Sequence, residues 1–498
     1  MKKAMFFIIF LIAGLGMSIA ALLYLPAPYD AWLGYSLGGF TIIFLFCPKK
    51  KSKTIRVGPF AWSLNDFCRG WLITGQTGSG KTACAIRTIL HALYRDCPDW
   101  GGAVVDQKGQ FYEIVSGIAK EYKLSDKLVI LRVGSGETPA RYNLLSYPGI
   151  SWASYAALIV DTSESMGIRL EAFWKTKAEV LLRGILQMVA AYRMPTLKDL
   201  VTYTNDMKLL DELVVTVFRD DPDNVGQEAI QGAADVKGQV LTIAAATRDS
   251  ILASAQTMVA YFADPGIQDV FCPAKNTVDF RSIDQGKIFV LSMEQKYDRQ
   301  RIFFNTFLKL LFMTHAKYRF DDPKSLPEKN LLVFCADEAQ QIVTSSVYAS
   351  DHEAVSVIRE ARATYILAAQ SITSFASRLK KEDVQTLILN LASKIYFTVA
   401  DQEAAESAAK DLGVRKTTEV SKSVSKGVES TTTHETEKPF YSPAELRSLN
   451  KYQCVIKHPS GKTEKLYLPP RDDAGNIPKY YYIDRFGPFW YLPWLFQA

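Results

Sequence analysis

The chain has 498 residues, 48% of them hydrophobic and 22% charged, with a formal net charge of +6. That size suits two or three domains around a large buried core, and the mild positive charge permits contact with nucleic acid or an anionic membrane surface without demanding either. Seven cysteines (Cys47, Cys68, Cys84, Cys97, Cys272, Cys335 and Cys454) are scattered with no CxxC pair, and the five histidines do not cluster with them, which excludes a disulfide framework or a cysteine–histidine metal site and suits a reducing compartment.

Residues 1–53 differ from all that follows. "MFFIIFLIAGLGMSIAALLYL" at 5–25 is uncharged. At about 1.5 Å per residue, such a helix spans the ~30 Å hydrocarbon core of a bilayer. "PAPYD" makes a turn, and "AWLGYSLGGFTIIFLFC" at 31–47 is a second, shorter apolar run that spans a thin or deformed bilayer. Lys2 and Lys3 precede the pair, and Lys49, Lys50, Lys51 and Lys53 follow it. Lysines on both flanks predict a transmembrane hairpin with both ends in the cytoplasm. A cleaved signal peptide is the competing reading, since "SIA" at 18–20 has the small residues of a cleavage site. The second segment and its lysines keep residues 54–498 inside in either case.

"WLITGQTGSGKTACAIRTIL" at 71–90 runs from a short apolar strand through a glycine-rich loop into an amphipathic helix. Gly75, Gly80, Lys81 and Thr82 fill the pattern GxxxxGK[ST]. The loop Gly75, Gln76, Thr77, Gly78, Ser79, Gly80 is expected to curl its N–H groups around phosphates of ATP. Lys81 would reach the terminal oxygens and Thr82 would hold Mg²⁺. The helix start adds partial positive charge. Residues 150–265 read as helical throughout, with "RDDPDN" as a turn between helices. An all-α domain is predicted there, between a first part of the nucleotide-binding domain at 54–149 and its remainder at 266–479.

"KNLLVFCADEAQQ" at 329–341 is an apolar strand ending in two acids. Asp337 fits the magnesium-side carboxylate and Glu338 the base that orients or deprotonates the attacking water. One helix-length crossover later, "RATYILAAQS" at 362–371 is a buried strand that ends on an amide, Gln370. A parallel neighbour of the acidic strand brings Gln370 to the same rim, where it would sense the terminal phosphate. Upstream, "VIREAR" supplies Arg359 and Arg362. Spacing alone leaves open which of them completes a neighbouring subunit's site, and whether either is more than a solvated helix charge.

Residues 415–438, "RKTTEVSKSVSKGVESTTTHETEK", carry nothing that can bury a core. They predict an exposed, mobile loop inside the nucleotide-binding fold. The tail at 480–498, "YYYIDRFGPFWYLPWLFQA", is strongly aromatic. Such a segment marks a partner surface, a membrane interface, or packing back onto the motor.

Taken together, these motifs resemble the type IV secretion system coupling proteins (TraG/TraD-like), membrane-anchored RecA-like motor ATPases related to the FtsK/HerA translocases. The resemblance covers nearly the whole chain: the hairpin, "GQTGSGKT", "VVDQKGQFYE" at 104–113, "RYNLL" at 141–145, "FWKTKAEVLLRGIL" at 173–186, "FCADEAQQ", "REARATYILAAQS" and "SPAELRSLNKYQCVI" at 442–456. It implies an α/β fold, a RecA-like P-loop motor with an inserted all-α domain behind a transmembrane hairpin. Lys81 and Thr82 match the phosphate-loop pair, Asp337 and Glu338 the magnesium and catalytic carboxylates, Gln370 the sensor, and Arg359 the arginine that acts in trans. Asp106 and Lys108 match a family segment in which Gln107 stands where proline is usual and Gln110 where glutamate is.

The implied protein is a hexameric, DNA-translocating ATPase of the bacterial inner membrane. Its partners would be relaxase-bound single-stranded DNA and type IV secretion channel proteins. A receptor for protein effectors is the alternative, distinguished by hydrolysis that ignores DNA. The assembly ATPase of the same systems is a third reading, and the hairpin and its short distance from the phosphate loop argue against it.

Overall fold

The computed structural model describes residues 53–487 except 106, 110, 135–139, 169, 346–349, 400 and 426–427. The expected hairpin at 5–25 and 31–47, Asp106, Gln110 and the tail beyond 487 lie outside the described residues. Among the described residues, no helix is long and apolar enough to cross a membrane.

Among the described residues, thirteen strands occur in chain order: β1 Thr54–Val57, β2 Phe60–Ser63, β3 Trp71–Thr74, β4 Gly101–Val105, β5 Leu128–Val133, β6 Ile288–Met293, β7 Leu332–Ala336, β8 Ala363–Ala369, β9 Ser393–Tyr396, β10 Val414–Ser425, β11 Val428–Pro439, β12 Gln453–Lys457 and β13 Thr463–Tyr467. Nine of them form one sheet in the order β13-β12-β9-β3-β8-β7-β4-β6-β5. From β9 to β5 every neighbouring pair is parallel; β12 runs antiparallel to both β9 and β13. Parallel strands covered on both faces read as continuous apolar runs. The strands "WLIT", "LVFCA" and "ATYILAA" are buried from end to end.

Alternate residues feed two cores. Leu332, Phe334, Ala336, Tyr365, Leu367 and Ala369 face one layer of helices. Val333, Cys335, Ile366 and Ala368 face the other, as the period of two along a strand requires. Between β5 and β6, the described elements from Trp152–Ser165 to Pro265–Phe271 are all helical. Their apolar faces share the first core with the long helix Asp298–Tyr318.

Residues 415–438, expected as an exposed, mobile loop, carry two strands. β10 and β11 pair antiparallel along their whole length, each strand twelve residues, apart from the main sheet. The composition lacks a core but is dense in valine and threonine, and β-branched residues favour strands. Pairing along the ribbon satisfies its inner backbone groups.

One buried ion pair ties the sheet's surroundings together. Lys309 and Asp351 are both about 1% exposed, with Nζ to Oδ2 at 2.5 Å. Lys309 Nζ also donates to the Ile342 carbonyl (2.6 Å) and Thr344 Oγ1 (3.0 Å), while Asp351 Oδ2 accepts the Thr344 N–H (2.7 Å). Removing one partner strands a buried charge. Lys309→Met is therefore expected to lower unfolding free energy by about 3–5 kcal/mol in a urea titration. Lys309→Met with Asp351→Leu is expected to recover much of the loss.

Candidate active site at the sheet rim

β3 delivers the chain into the loop 75–80, which closes on a wide helical turn, Lys81–Ile86, running on as the helix Arg87–Asp96. Gly80 has φ 117°, and a Cβ there would lie 2.8 Å from Cys84 Sγ. Glycine meets both demands, of backbone and of space. The Gln76 N–H donates to the Thr398 carbonyl at 2.9 Å and pins the loop beside the end of β9.

Lys81 is buried, and its Nζ donates to the carbonyls of Gly75 (2.6 Å) and Gln76 (3.3 Å). Burial lowers its pKa, while the carboxylates of Glu338 and Asp337 pull the other way. Ser79 Oγ is buried without a hydrogen-bond partner among the described residues. A buried, unsatisfied hydroxyl is costly. Together with the inward lysine, it fits a loop built to receive an anion such as a phosphate chain.

β7 ends beside β4, where the Asp337 N–H donates to the Val105 carbonyl at 3.2 Å. Thr82 Oγ1 donates to Asp337 Oδ2 at 2.6 Å, so a hydroxyl and a carboxylate that could hold Mg²⁺ stand side by side. Asp337 Oδ1 accepts the Glu338 N–H at 3.0 Å. Glu338 itself has φ 54°, a left-handed conformation that costs a non-glycine residue about 1–3 kcal/mol. The turn holds its carboxylate, 8% exposed, against the rim. There Oε2 accepts Gln340 Nε2 at 2.7 Å and Gln370 Nε2 at 3.3 Å, and Oε1 lies 3.6 Å from Lys108 Nζ.

β8 pairs with β3 on one side and β7 on the other. Gln370 therefore sits between the phosphate loop and the acids. Its amide touches Glu338 directly. A cavity of about 250 Å³ covers this constellation, lined by Lys81, Thr82, Lys108, Asp337 and Glu338 and, from the C-terminal part of the chain, by Lys451, Tyr452 and Tyr480.

Arg359 lies elsewhere. It follows the helix Asp351–Ile358 and precedes β8, so it stands at the opposite rim. It lines a second cavity, about 430 Å³, with Arg69 and Arg362. Arg362 is tied to the Lys329 carbonyl at 2.9 Å, whereas Arg359 is exposed. The structure does not bring Arg359 to the phosphate loop of its own chain.

Sequence reasoning missed Gln340, Arg69, Lys451, Tyr452 and Tyr480. Only Gln340 carried a local signal, as a polar residue two places beyond Glu338.

A largely parallel sheet covered on both faces, with a glycine-rich loop, a threonine–aspartate pair and a second acid at one rim, defines the class: a mixed α/β fold around a large central sheet. The chain belongs to the family described as Type IV secretory system Conjugative DNA transfer, whose model matches residues 41–462. In structure it is similar to the bacterial conjugative coupling protein TrwBdeltaN70 in its unbound monoclinic form, with a TM-score of 0.65 and 17% identity over 87% of this chain and 92% of that one. It is likewise similar to the plasmid coupling protein TrwB in complex with ADP and Mg²⁺, with a TM-score of 0.61 and 17% identity over 87% and 92% of the two chains. At that identity the likeness speaks for the fold. A search of curated proteins returns no match.

Proposed function

We propose that this protein is a membrane-anchored, hexameric ATPase that couples ATP hydrolysis to the recruitment and translocation of relaxase-bound single-stranded DNA into a type IV secretion channel at the bacterial inner membrane. One observation carries the reading. Lys81, Thr82, Asp337, Glu338 and Gln370 converge on one rim in a chain of the conjugative DNA-transfer family.

Bound Mg²⁺–ATP supplies the phosphoanhydride whose cleavage drives the cycle. Lys81 Nζ exchanges its loop carbonyls for phosphate oxygens. Thr82 Oγ1 and Asp337 Oδ2 would hold Mg²⁺. Glu338 accepts a proton from water at its carboxylate, and Gln370 Nε2, already on that carboxylate, registers whether the terminal phosphate is present. Arg359 stabilises developing charge at the site of the neighbouring subunit.

The test is ATP hydrolysis by the full-length protein in lipid nanodiscs, with and without single-stranded DNA. Severalfold stimulation that fades as salt rises is expected, because backbone phosphates are held electrostatically. Hydrolysis indifferent to DNA would move the reading to a receptor for protein effectors.

A further inference from the structure

The cavity over the phosphate loop has a second end whose residues have no role so far. β12 runs antiparallel to β9, so it begins at the rim where β3, β7 and β8 finish. Lys451 and Tyr452, just before β12, line the cavity there, and Tyr480 joins them from the C-terminal helix Lys479–Phe486. In the sheet, β7 and its acids lie two places to one side of β3, and β12 lies two places to the other. A nucleotide held through its phosphates by the loop, with its terminal phosphate towards Glu338, therefore has its nucleoside towards Lys451, Tyr452 and Tyr480.

The helix carrying Tyr480 is fastened in place. Tyr481 is 4% exposed and packs on Tyr452 with ring centroids 5.2 Å apart. Asp484 Oδ2 accepts both Lys451 Nζ and the Tyr452 hydroxyl, each at 2.7 Å. Arg485 lies 3.8 Å from the centroid of the Tyr467 ring and donates to the Tyr481 hydroxyl at 3.0 Å. Asp484 thus ties down the Tyr452 hydroxyl proton and one N–H of Lys451, whose side chain is 57% exposed. Tyr480 is 48% exposed and is the exposed aromatic ring of the lining, since Tyr452 is 5% exposed. Its ring is the surface this end of the cavity offers a ligand.

We infer that Tyr480 binds the nucleoside by stacking its ring on the base. A ring face accepts any base, and a larger base overlaps it more. Through that ring the site takes purine nucleoside triphosphates and holds pyrimidines more weakly. The inference rests on the nucleotide reading above.

The experiment is equilibrium binding to the full-length protein in nanodiscs, using Mg²⁺ with ATP, GTP, CTP or inorganic tripolyphosphate. Tyr480→Ala, Tyr480→Phe and Lys81→Ala are compared with the unaltered chain, and a thermal melt checks that each is folded. Tyr480→Ala is expected to weaken ATP and GTP about tenfold, to leave tripolyphosphate unchanged, and to close the gap between purines and CTP. Tyr480→Phe is expected to behave as the unaltered chain. Lys81→Ala is expected to lose every ligand, tripolyphosphate included.

Equal effects of Tyr480→Ala on ATP and tripolyphosphate would overturn the stacking role, as would no effect on ATP. Tighter ATP binding by Tyr480→Ala would show a ring that obstructs the cavity and would overturn it too. An unaltered chain that binds none of the four ligands would overturn the nucleotide reading itself, and the stacking role with it.

Discussion

Glu338→Gln is expected to lower ATP turnover by about a hundred- to ten-thousandfold while the affinity for ATP changes by less than about threefold. The substitution is nearly isosteric and removes the charge and the proton-accepting oxygen. One of its amide atoms still accepts from Gln340, so the left-handed turn at Glu338 keeps a tether. Nucleotide affinity comes from elsewhere, from the loop N–H groups, Lys81 and the Thr82–Asp337 pair.

Lys81→Ala separates the two contributions. It removes the buried ammonium that the phosphates would draw away from the Gly75 and Gln76 carbonyls, so binding itself should fall. Single-turnover hydrolysis together with equilibrium ATP binding distinguishes the variants. A Glu338→Gln protein that hydrolyses at the unaltered rate would remove Glu338 from the chemistry. Gln340 or Lys108, the other groups around that carboxylate, would then be the next residues to replace.

Much of this site was legible in the sequence because its parts are local or obey a simple period. The phosphate loop is a contiguous glycine pattern. β7 and β8 are apolar runs, because both their faces are covered. One helix between two such strands places them side by side, so Gln370 could be located near the acids before any coordinates. The remainder depends on distance in the fold. Tyr452 and Tyr480 reach the cavity only because an antiparallel strand and a terminal helix fold back to the rim. No spacing in the sequence reports that.

Gln340 looks like part of a solvated polar turn until the left-handed backbone of Glu338 brings that carboxylate onto its amide. The pairing of β10 and β11 is not legible in the sequence, because composition shows what cannot be buried and says less about what can pair. Arg359 and Arg362 looked equivalent by spacing. They differ in the fold because only Arg362 is held by a backbone carbonyl.

Arg359→Ala is expected to reduce hydrolysis by about a thousandfold or more, with ATP binding and assembly intact. The seven residues of β8 separate it from the rim that holds Gln370, a distance of about 20 Å at the usual rise per residue. No rearrangement of a side chain closes that gap, so an arginine acting on phosphate from this position must act on another copy's phosphate.

Mixing inactive variants tests the point. In a ring, the Arg359→Ala subunit keeps its own Glu338 and lacks only what its neighbour must lend; a Glu338→Gln neighbour still carries Arg359. Co-assembled in equal amounts, the two should regain about a quarter of full activity, because one interface in four then pairs an intact Glu338 with an intact Arg359 across a head-to-tail contact. Recovery on mixing requires that the two residues work from different subunits. Two variants that stay inactive together would place Arg359 outside the chemistry and leave it a role in the cavity it shares with Arg69.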